Sequence, residues 1–298
     1  MTLVPGYYEK FKCIADKCEH NCCIGWEIDI DQASQDYYSQ IGVDKIEYTD
    51  GVPHFKLCEG DRCPYLLENG LCDIISRYGE DALCDICTDH PRFRNFYENF
   101  TEMGLGLCCE EAARIILSED APFILVAEDD AEIHLLPEEE RMLLERNEIF
   151  KIIQNRNDSI YKRLFQLSDK YGYKPKLGIM EDVCNLYLSL ERLDEQWTKA
   201  LDGLKGYNFT GEIFHEKSLQ VAFEQLACYL IFRHFPGGLT DGMFKKRIHL
   251  VLSGCFLIGA MCEKYETISL SQMVEFCRMY SGEIEYSEEN INALLKVL

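Results

Sequence analysis

The stretch Cys63–Cys72, CPYLLENGLC, decides how the front of this chain folds. Asn69-Gly70 is a turn dipeptide, because glycine supplies the positive φ that a tight reversal needs. A reversal there folds Cys63 and Cys72 back toward each other. Cys84 and Cys87 follow as a C-x2-C pair, with the reach for two adjacent positions around a metal. Upstream lie Cys13, Cys18, Cys22, Cys23 and Cys58, and downstream lie Cys108 and Cys109. Eleven of the sixteen cysteines thus fall in the first 109 residues.

Thiolates bunched in this way are how a chain surrounds a soft metal. One metal cannot use all eleven, so there are either two sites or one cluster with spare thiols beside it. Free cysteine is also among the most buried residue types. Core packing accounts for Cys184, Cys228, Cys255, Cys262 and Cys277, each on an apolar helical segment. It does not account for the turn-rich front, which we read as a metal module.

Around that module the pattern is local. Glu27–Ile30 alternates as a short strand does, and Asp31 reads as the N-cap of a helix over Gln32–Ile41. Lys45–Leu57 reads as a hairpin turning at Asp50-Gly51. Asp73–Tyr78 and Glu80–Cys87 read as short helical stretches, and Pro91 ends the second. Arg92–Thr101 is aromatic-rich and reads as strand, and Glu110–Leu117 as helix. Glu128–Glu140 holds seven acidic residues and Pro137, and we place a linker there. Beyond it the periodicity predicts helices over 138–155, 157–171, 180–197, 216–234, 242–263, 270–281 and 288–297, with Gly237-Gly238 as a break. The expected fold is mostly α (α+β). A cysteine-rich metal or iron–sulfur module with small hairpins occupies 1–127, and an all-helical domain occupies 128–298.

The bulk properties narrow the partners. With 298 residues the chain can bury a large core as one or two domains. Met1–Lys12 has no basic start followed by an apolar run, so the expected compartment is cytoplasmic, with thiols reduced or metal-bound. No run reaches the roughly 18 apolar residues of a membrane span, and Ile248–Cys262 reads as a buried helix. A formal charge of −22 repels phosphate backbones, which argues against a nucleic-acid partner. The same charge keeps the chain soluble, and a sharper reading is a field that attracts cationic lysine side chains.

Known metal signatures are missing. There is no C-x2-C-x2-C-x3-C ferredoxin run. Cys18-x3-Cys22 opens like a C-x3-C-x2-C motif, but Gly25 stands where the third cysteine belongs. No glycine-rich phosphate loop and no histidine pair of metalloprotease spacing occurs.

One family does resemble these residues. Cys13…Cys18…Cys22-Cys23…Gly25-Trp26 resembles the opening of flagellin lysine-N-methylases. The likeness continues through Cys63-Pro64-Tyr65-Leu66…Gly70-Leu71-Cys72-Asp73-Ile74 and Leu83-Cys84…Cys87…Pro91-Arg92 to Cys109…Glu111-Ala112-Ala113-Arg114. The core of the pattern is also similar to small zinc- or iron-chelating domains. Glu110 stands in place of the family's proline, His90 in place of an aromatic residue, and Cys58 and Cys108 are additional.

The resemblance implies methyl transfer from S-adenosylmethionine to lysine ε-amines, with flagellin as protein substrate and a [4Fe–4S] cluster held by the N-terminal cysteines. The candidate ligands are Cys18, Cys22, Cys63, Cys72, Cys84, Cys87 and Cys109. The alternatives are zinc, in a non-catalytic zinc- or iron-chelating module fused to a helical interaction domain, and a redox protein.

The chemistry needs a neutral amine, whereas a free lysine has a pKa of about 10.4. Arg92 is a candidate cofactor-binding clamp for a carboxylate, and His90 and Asp89 are candidate proton acceptors. Trp26, Tyr65 and Tyr97 are candidate walls for a lysine channel or an adenine, with Trp26 the cofactor-binding choice. His54, His134, His215, His234 and His249 are scattered singly and carry no assigned role.

Overall fold

The computed structural model describes residues 1–128, 134–265 and 267–298. Helix takes about 55% of the residues and strand about 12%, so the chain is mostly α as expected. Compactness divides it into Lys12–Phe93 and a second unit made of Met1–Phe11 with Arg94–Leu298. The single boundary expected near 128 differs from this division, and part of the acidic linker (129–133) lies outside the described residues. The division is set by pairing between distant residues, which local pattern does not report.

In the Lys12–Phe93 unit, local chemistry forms the elements as anticipated. Asp31 caps the Gln32–Ile41 helix, accepting from the Ser34 amide at 2.9 Å, and Gly42 closes it in the left-handed region. Ile46–Thr49 and Val52–Phe55 form the hairpin, with Thr49 opposite Val52 across the turn. Glu27–Ile30 is not a full strand. It lies along that hairpin through Ile30 N to Pro53 O (2.8 Å), Phe55 N to Ile28 O (3.1 Å) and an Asp29–His54 bridge. Asp73–Tyr78 is helical. The expected helix over Glu80–Cys87 resolves into a 3-10 turn, Glu80–Ala82, and a helix, Asp85–Asp89. The core packs Ile28, Ile30, Tyr38, Val43, Phe55, Tyr65, Leu66 and Ile74 around buried Cys63 and Cys84.

The sheet of the second unit is built wholly from residues 1–127, where α+β structure was expected, and it includes the Arg92–Thr101 stretch read as strand. A four-stranded sheet runs in the order Arg92–Phe96, Thr101–Leu105, Thr2–Pro5, Leu125–Ala127. Thr2–Pro5 is parallel to Thr101–Leu105 and antiparallel to Leu125–Ala127. Gly178–Ile179 and Asn208–Phe209 make a further small pair. This last pair lies within 128–298 and corrects the all-helical expectation there. Like the pairing of Thr2 with Thr101 and of Val4 with Val126 it joins distant residues, whereas Arg92–Phe96 and Thr101–Leu105 are neighbours in sequence.

The helices are Glu110–Ser118, Pro137–Ile153, Ile160–Tyr171, Glu181–Leu188, Glu195–Leu204, Gln220–His234, Gly238–Asp241, Phe244–Glu263, Leu270–Tyr280 and Glu288–Val297. A π-helical turn, Ser281–Glu285, follows Leu270–Tyr280. The Phe244–Glu263 helix is buried without a break from Ile248 to Cys262, as an all-round apolar helix must be. Gly237-Gly238, expected to break the chain, is itself helical, with room at Gly238 for no Cβ against the Phe244 ring (2.2 Å). The interruption before Phe244 falls at Gly242, in the left-handed region at φ +71°. The five late cysteines are fully buried. No helix among the described residues is long and apolar enough to cross a membrane.

The expected 180–197 helix is two helices. Asp194 caps the second through the Gln196 amide at 2.7 Å. Glu283 accepts the amides of Leu193 and Asp194 in the break, and Asn290 accepts that of Glu191 at 2.9 Å.

Candidate metal centre

The turn at Cys63–Cys72 closes as its sequence dictates. Leu67 N bonds Leu71 O at 2.9 Å, Gly70 N bonds Leu67 O at 3.0 Å, and Asp73 N bonds Tyr65 O at 2.8 Å. Gly70 sits at φ +81°, and a Cβ there would also press on the Asp16 backbone at 3.2 Å. Arg62 gathers the Leu66 and Leu67 carbonyls at 3.0 and 2.7 Å.

The Asn21–Trp26 loop is zipped onto the start of this turn. Cys63 N bonds Cys23 O at 2.8 Å, and Gly25 N bonds Asp61 O at 3.0 Å. Asn21 Oδ1 accepts the Cys23 amide at 2.9 Å. Cys84 is the N-cap of the Asp85–Asp89 helix, one turn from Cys87. The second carboxylate oxygen of Asp31 accepts the Asp85 amide at 3.0 Å. One side chain therefore fixes the starts of two helices.

These ties gather Cys22, Cys23, Cys63, Cys72, Cys84 and Cys87 into one mutually interacting set of thiols. Five of them, all but Cys22, belong to or pack against the unit's apolar core. Within the set the thiols pair. A hydrogen bond from Cys23 brings Cys22 down to about 7, and one from Cys87 brings Cys84 down to about 7. Cys23 and Cys87 are pushed up by the same bonds and by burial, and burial raises Cys63.

Four of the six expected ligands in this unit's sequence, Cys63, Cys72, Cys84 and Cys87, are thus together, with Cys22 at the edge beside Cys23. Cys18 turns its sulfur to the His20 carbonyl at 3.3 Å. Cys109 belongs to the other compact unit, where it caps the Glu110–Ser118 helix. Its neighbour Cys108 is pushed up to about 12 by burial and bonds to Tyr286.

Cys23 is among the bunched cysteines but not among the expected ligands, and Tyr38, beside the set, is not named among the candidates. The tie from Cys63 to Cys23 is a backbone bond and leaves no residue-type signal.

Among the described residues, no three His, Cys, Asp or Glu side chains converge as a metal ion would require. A zinc ion needs its sulfurs all about 2.3 Å from one point. An iron–sulfur cluster presents four irons on a body several atoms across, so its thiolates stand further apart. The donor set, thiols with the buried Tyr38 hydroxyl near Cys84, suits a thiophilic group, zinc and an iron–sulfur cluster alike.

The remaining candidates divide. Trp26 donates its indole N–H to the Cys22 carbonyl at 2.6 Å, and its ring centroid lies 6.2 Å from that of His90. Burial, then the Arg92 charge, lowers His90 to about 4, so it is neutral at physiological pH. Arg92 donates to the Thr88 carbonyl at 3.1 Å. Tyr65 is a core residue whose hydroxyl accepts the Lys45 amide at 3.0 Å. Tyr97 stacks on Phe100 at 4.1 Å and donates to Glu102 at 2.8 Å, a structural role in the other unit.

Fold and site define a mostly helical protein with a separate cysteine-clustered unit. Among curated proteins the chain is similar to one named Lysine-N-methylase from Salmonella typhimurium, at 24% identity over 222 residues. That match covers 67% of this chain and 53% of that protein, and the protein of the same name from Salmonella choleraesuis matches to the same extent. The Flagellar biosynthetic protein FliU of Salmonella muenchen is 27% identical over 128 residues, covering 39% of this chain and 76% of that one. The chain spans about half the length of the two lysine-N-methylases it matches. The resemblance to lysine-N-methylases carried by the cysteine motifs is borne out by these relatives. No family model and no solved structure matches the chain.

Proposed function

We propose that this chain is a protein lysine N-methyltransferase acting on flagellin, with S-adenosylmethionine as donor and an iron–sulfur cluster held by its clustered cysteines. The observation that carries this reading is the gathering of thiols from separate segments, at 22–23, 63, 72 and 84–87, in one unit. The names of its relatives, lysine-N-methylase and flagellar biosynthetic protein, support the reaction and the flagellar substrate.

The cluster, when bound, supplies iron to which the amino and carboxylate groups of S-adenosylmethionine can bind. The chain's own residues do the rest. The methyl acceptor must lose a proton before it attacks. That proton goes to solvent before the amine docks, and His90, kept neutral by burial, offers a ring nitrogen that accepts a hydrogen bond from the neutral amine. Trp26, held by its bond to the Cys22 carbonyl, walls the same place with an apolar face. Arg92 pairs with a carboxylate of the donor. The net charge of −22 draws a lysine-bearing surface toward the protein.

The test is methyl transfer. Anaerobically reconstituted protein, purified flagellin and methyl-labelled S-adenosylmethionine are combined, and flagellin lysines are read by mass spectrometry. Label on lysine that depends on iron loading is expected. A loaded protein that binds the donor yet transfers nothing leaves a non-catalytic chelating module joined to a helical domain.

A further inference from the structure

Tyr38 carries a buried polar atom without a partner. It lies on the Gln32–Ile41 helix, is wholly buried, and stacks on Phe55 with ring centroids 5.9 Å apart. No partner meets its hydroxyl in full hydrogen-bond geometry, and the polar groups that act on it most closely are the Cys84 amide and thiol, with Cys87 nearby. A hydroxyl shut away from water and left unpaired costs folding free energy. Phenylalanine would fill the same volume without that cost. The hydroxyl is also held where it is, because Asp31 ties this helix to the Asp85 amide at 3.0 Å, next to Cys84.

Resting on the reading that cysteines of this unit hold an iron–sulfur cluster, we infer that the Tyr38 hydroxyl donates a hydrogen bond to the Cys84 sulfur once that sulfur is a ligand. The contact sets how readily the bound group is reduced. A ligated thiolate has lost its proton and can only accept, and Tyr38 is the buried donor that faces it. A hydrogen bond to a ligand sulfur stabilises the more negative, reduced state and so raises the potential. Tyr38 is a tuning residue. It neither ligates the metal nor touches the reacting atoms.

The experiment compares the full-length wild type with Tyr38→Phe, both reconstituted anaerobically. Iron and sulfide per chain are measured, together with the reduction potential by spectroscopically monitored titration. We expect equal iron and sulfide, a potential shifted negative in the variant, and a metal-free variant that melts at an equal or higher temperature. Equal potentials overturn the inference, and so does loss of the cluster from the variant, since a donor that only tunes leaves iron content intact.

If the wild type takes up no iron and sulfide, the cluster reading fails by itself, and Co(II) substitution then reads the same contact. A shifted sulfur-to-metal charge-transfer band in Tyr38→Phe supports the Tyr38–sulfur bond, and an unshifted band overturns it. A protein that binds neither iron nor cobalt overturns both readings.

Discussion

Asp31 serves two helices with one carboxylate. Oδ1 caps its own helix at Ser34 N, and Oδ2 holds the start of the helix that carries Cys87. Burial would push its carboxyl up, but the amides of Asp85 and Ser34 hold it below the usual carboxylate range. An N-cap is worth about 1 kcal/mol and up to about 2. Asp31→Ala removes the cap and the cross-tie together, so a loss of about 2 kcal/mol in urea unfolding of the metal-free protein is expected. Asp31→Asn keeps one acceptor oxygen for the Ser34 amide but sets an NH2, which cannot accept, opposite the Asp85 amide, so it is expected to recover the cap and not the cross-tie.

Gly70 is the second residue on which the thiol unit depends. Its φ of +81° is strained for any side chain, and the Asp16 backbone stands 3.2 Å from where a Cβ would go. Strain of this kind costs about 1–3 kcal/mol. Gly70→Ala is expected to lower stability by that amount and to reduce iron uptake on reconstitution, because the turn sets the spacing of Cys63 and Cys72. Unchanged uptake would show that this turn does not position the thiols.

At the scale of elements, what was legible in the sequence is what short-range chemistry decides. The Asp31 cap, the Asp50-Gly51 hairpin and the Asn69-Gly70 turn each draw on neighbours a few residues away, and each forms where its residues say. The break at 189–194 was not legible, because its amides are held by Glu283 and Asn290, some ninety residues later. In the four-stranded sheet the Arg92–Thr101 stretch reads as strand, while Thr2–Pro5 and Leu125–Ala127 were hidden for the same reason, since Thr2 pairs with Thr101 and Val4 with Val126. In the site, turn chemistry announced Cys63 and Cys72. Cys23 stood among the bunched cysteines, but the backbone bond that ties it to Cys63 leaves no mark in spacing, nor does the helix packing that brings in Tyr38.

The π-helical turn Ser281–Glu285 makes a separate prediction. It sets Glu285 into the core, where Tyr229 donates to it at 2.8 Å and His234 Nε2 lies 2.8 Å away. Burial would raise Glu285, but the Arg233 guanidinium and the His234 bond hold it down to about 2. The folded-state value lies below the ordinary 4.5. Its contribution to stability is therefore complete above about 4.5 and fades as pH falls from there through about 2. The shift corresponds to something on the order of 3 kcal/mol. Glu285→Gln leaves Arg233 buried without its anion, which costs about 3–5 kcal/mol near neutrality. Unfolding free energies measured across pH should show the gap between variant and wild type narrowing as pH drops below 4.5. A gap that stays constant with pH would mean that the Glu285 charge carries none of it.

At the scale of the whole molecule the two compact units are unequally equipped. The second buries continuous apolar helices, with Gln220–His234 and Phe244–Glu263 almost wholly inside. The Lys12–Phe93 unit has a small core, and several members of that core are thiols. A small core rarely holds a fold by itself, and a bound metal group adds its binding free energy to folding. Removing the group should therefore loosen one unit and spare the other. After chelation of the reconstituted protein, hydrogen exchange followed by mass spectrometry should show protection falling through residues 12–93. Peptides from Gln220–His234 and Phe244–Glu263 should keep theirs. Protection that falls equally in both units would mean that the metal group stabilises the chain as one cooperative body. Protection that changes in neither would mean that the thiol unit folds on its apolar core alone and that its cysteines do not depend on a metal for their arrangement.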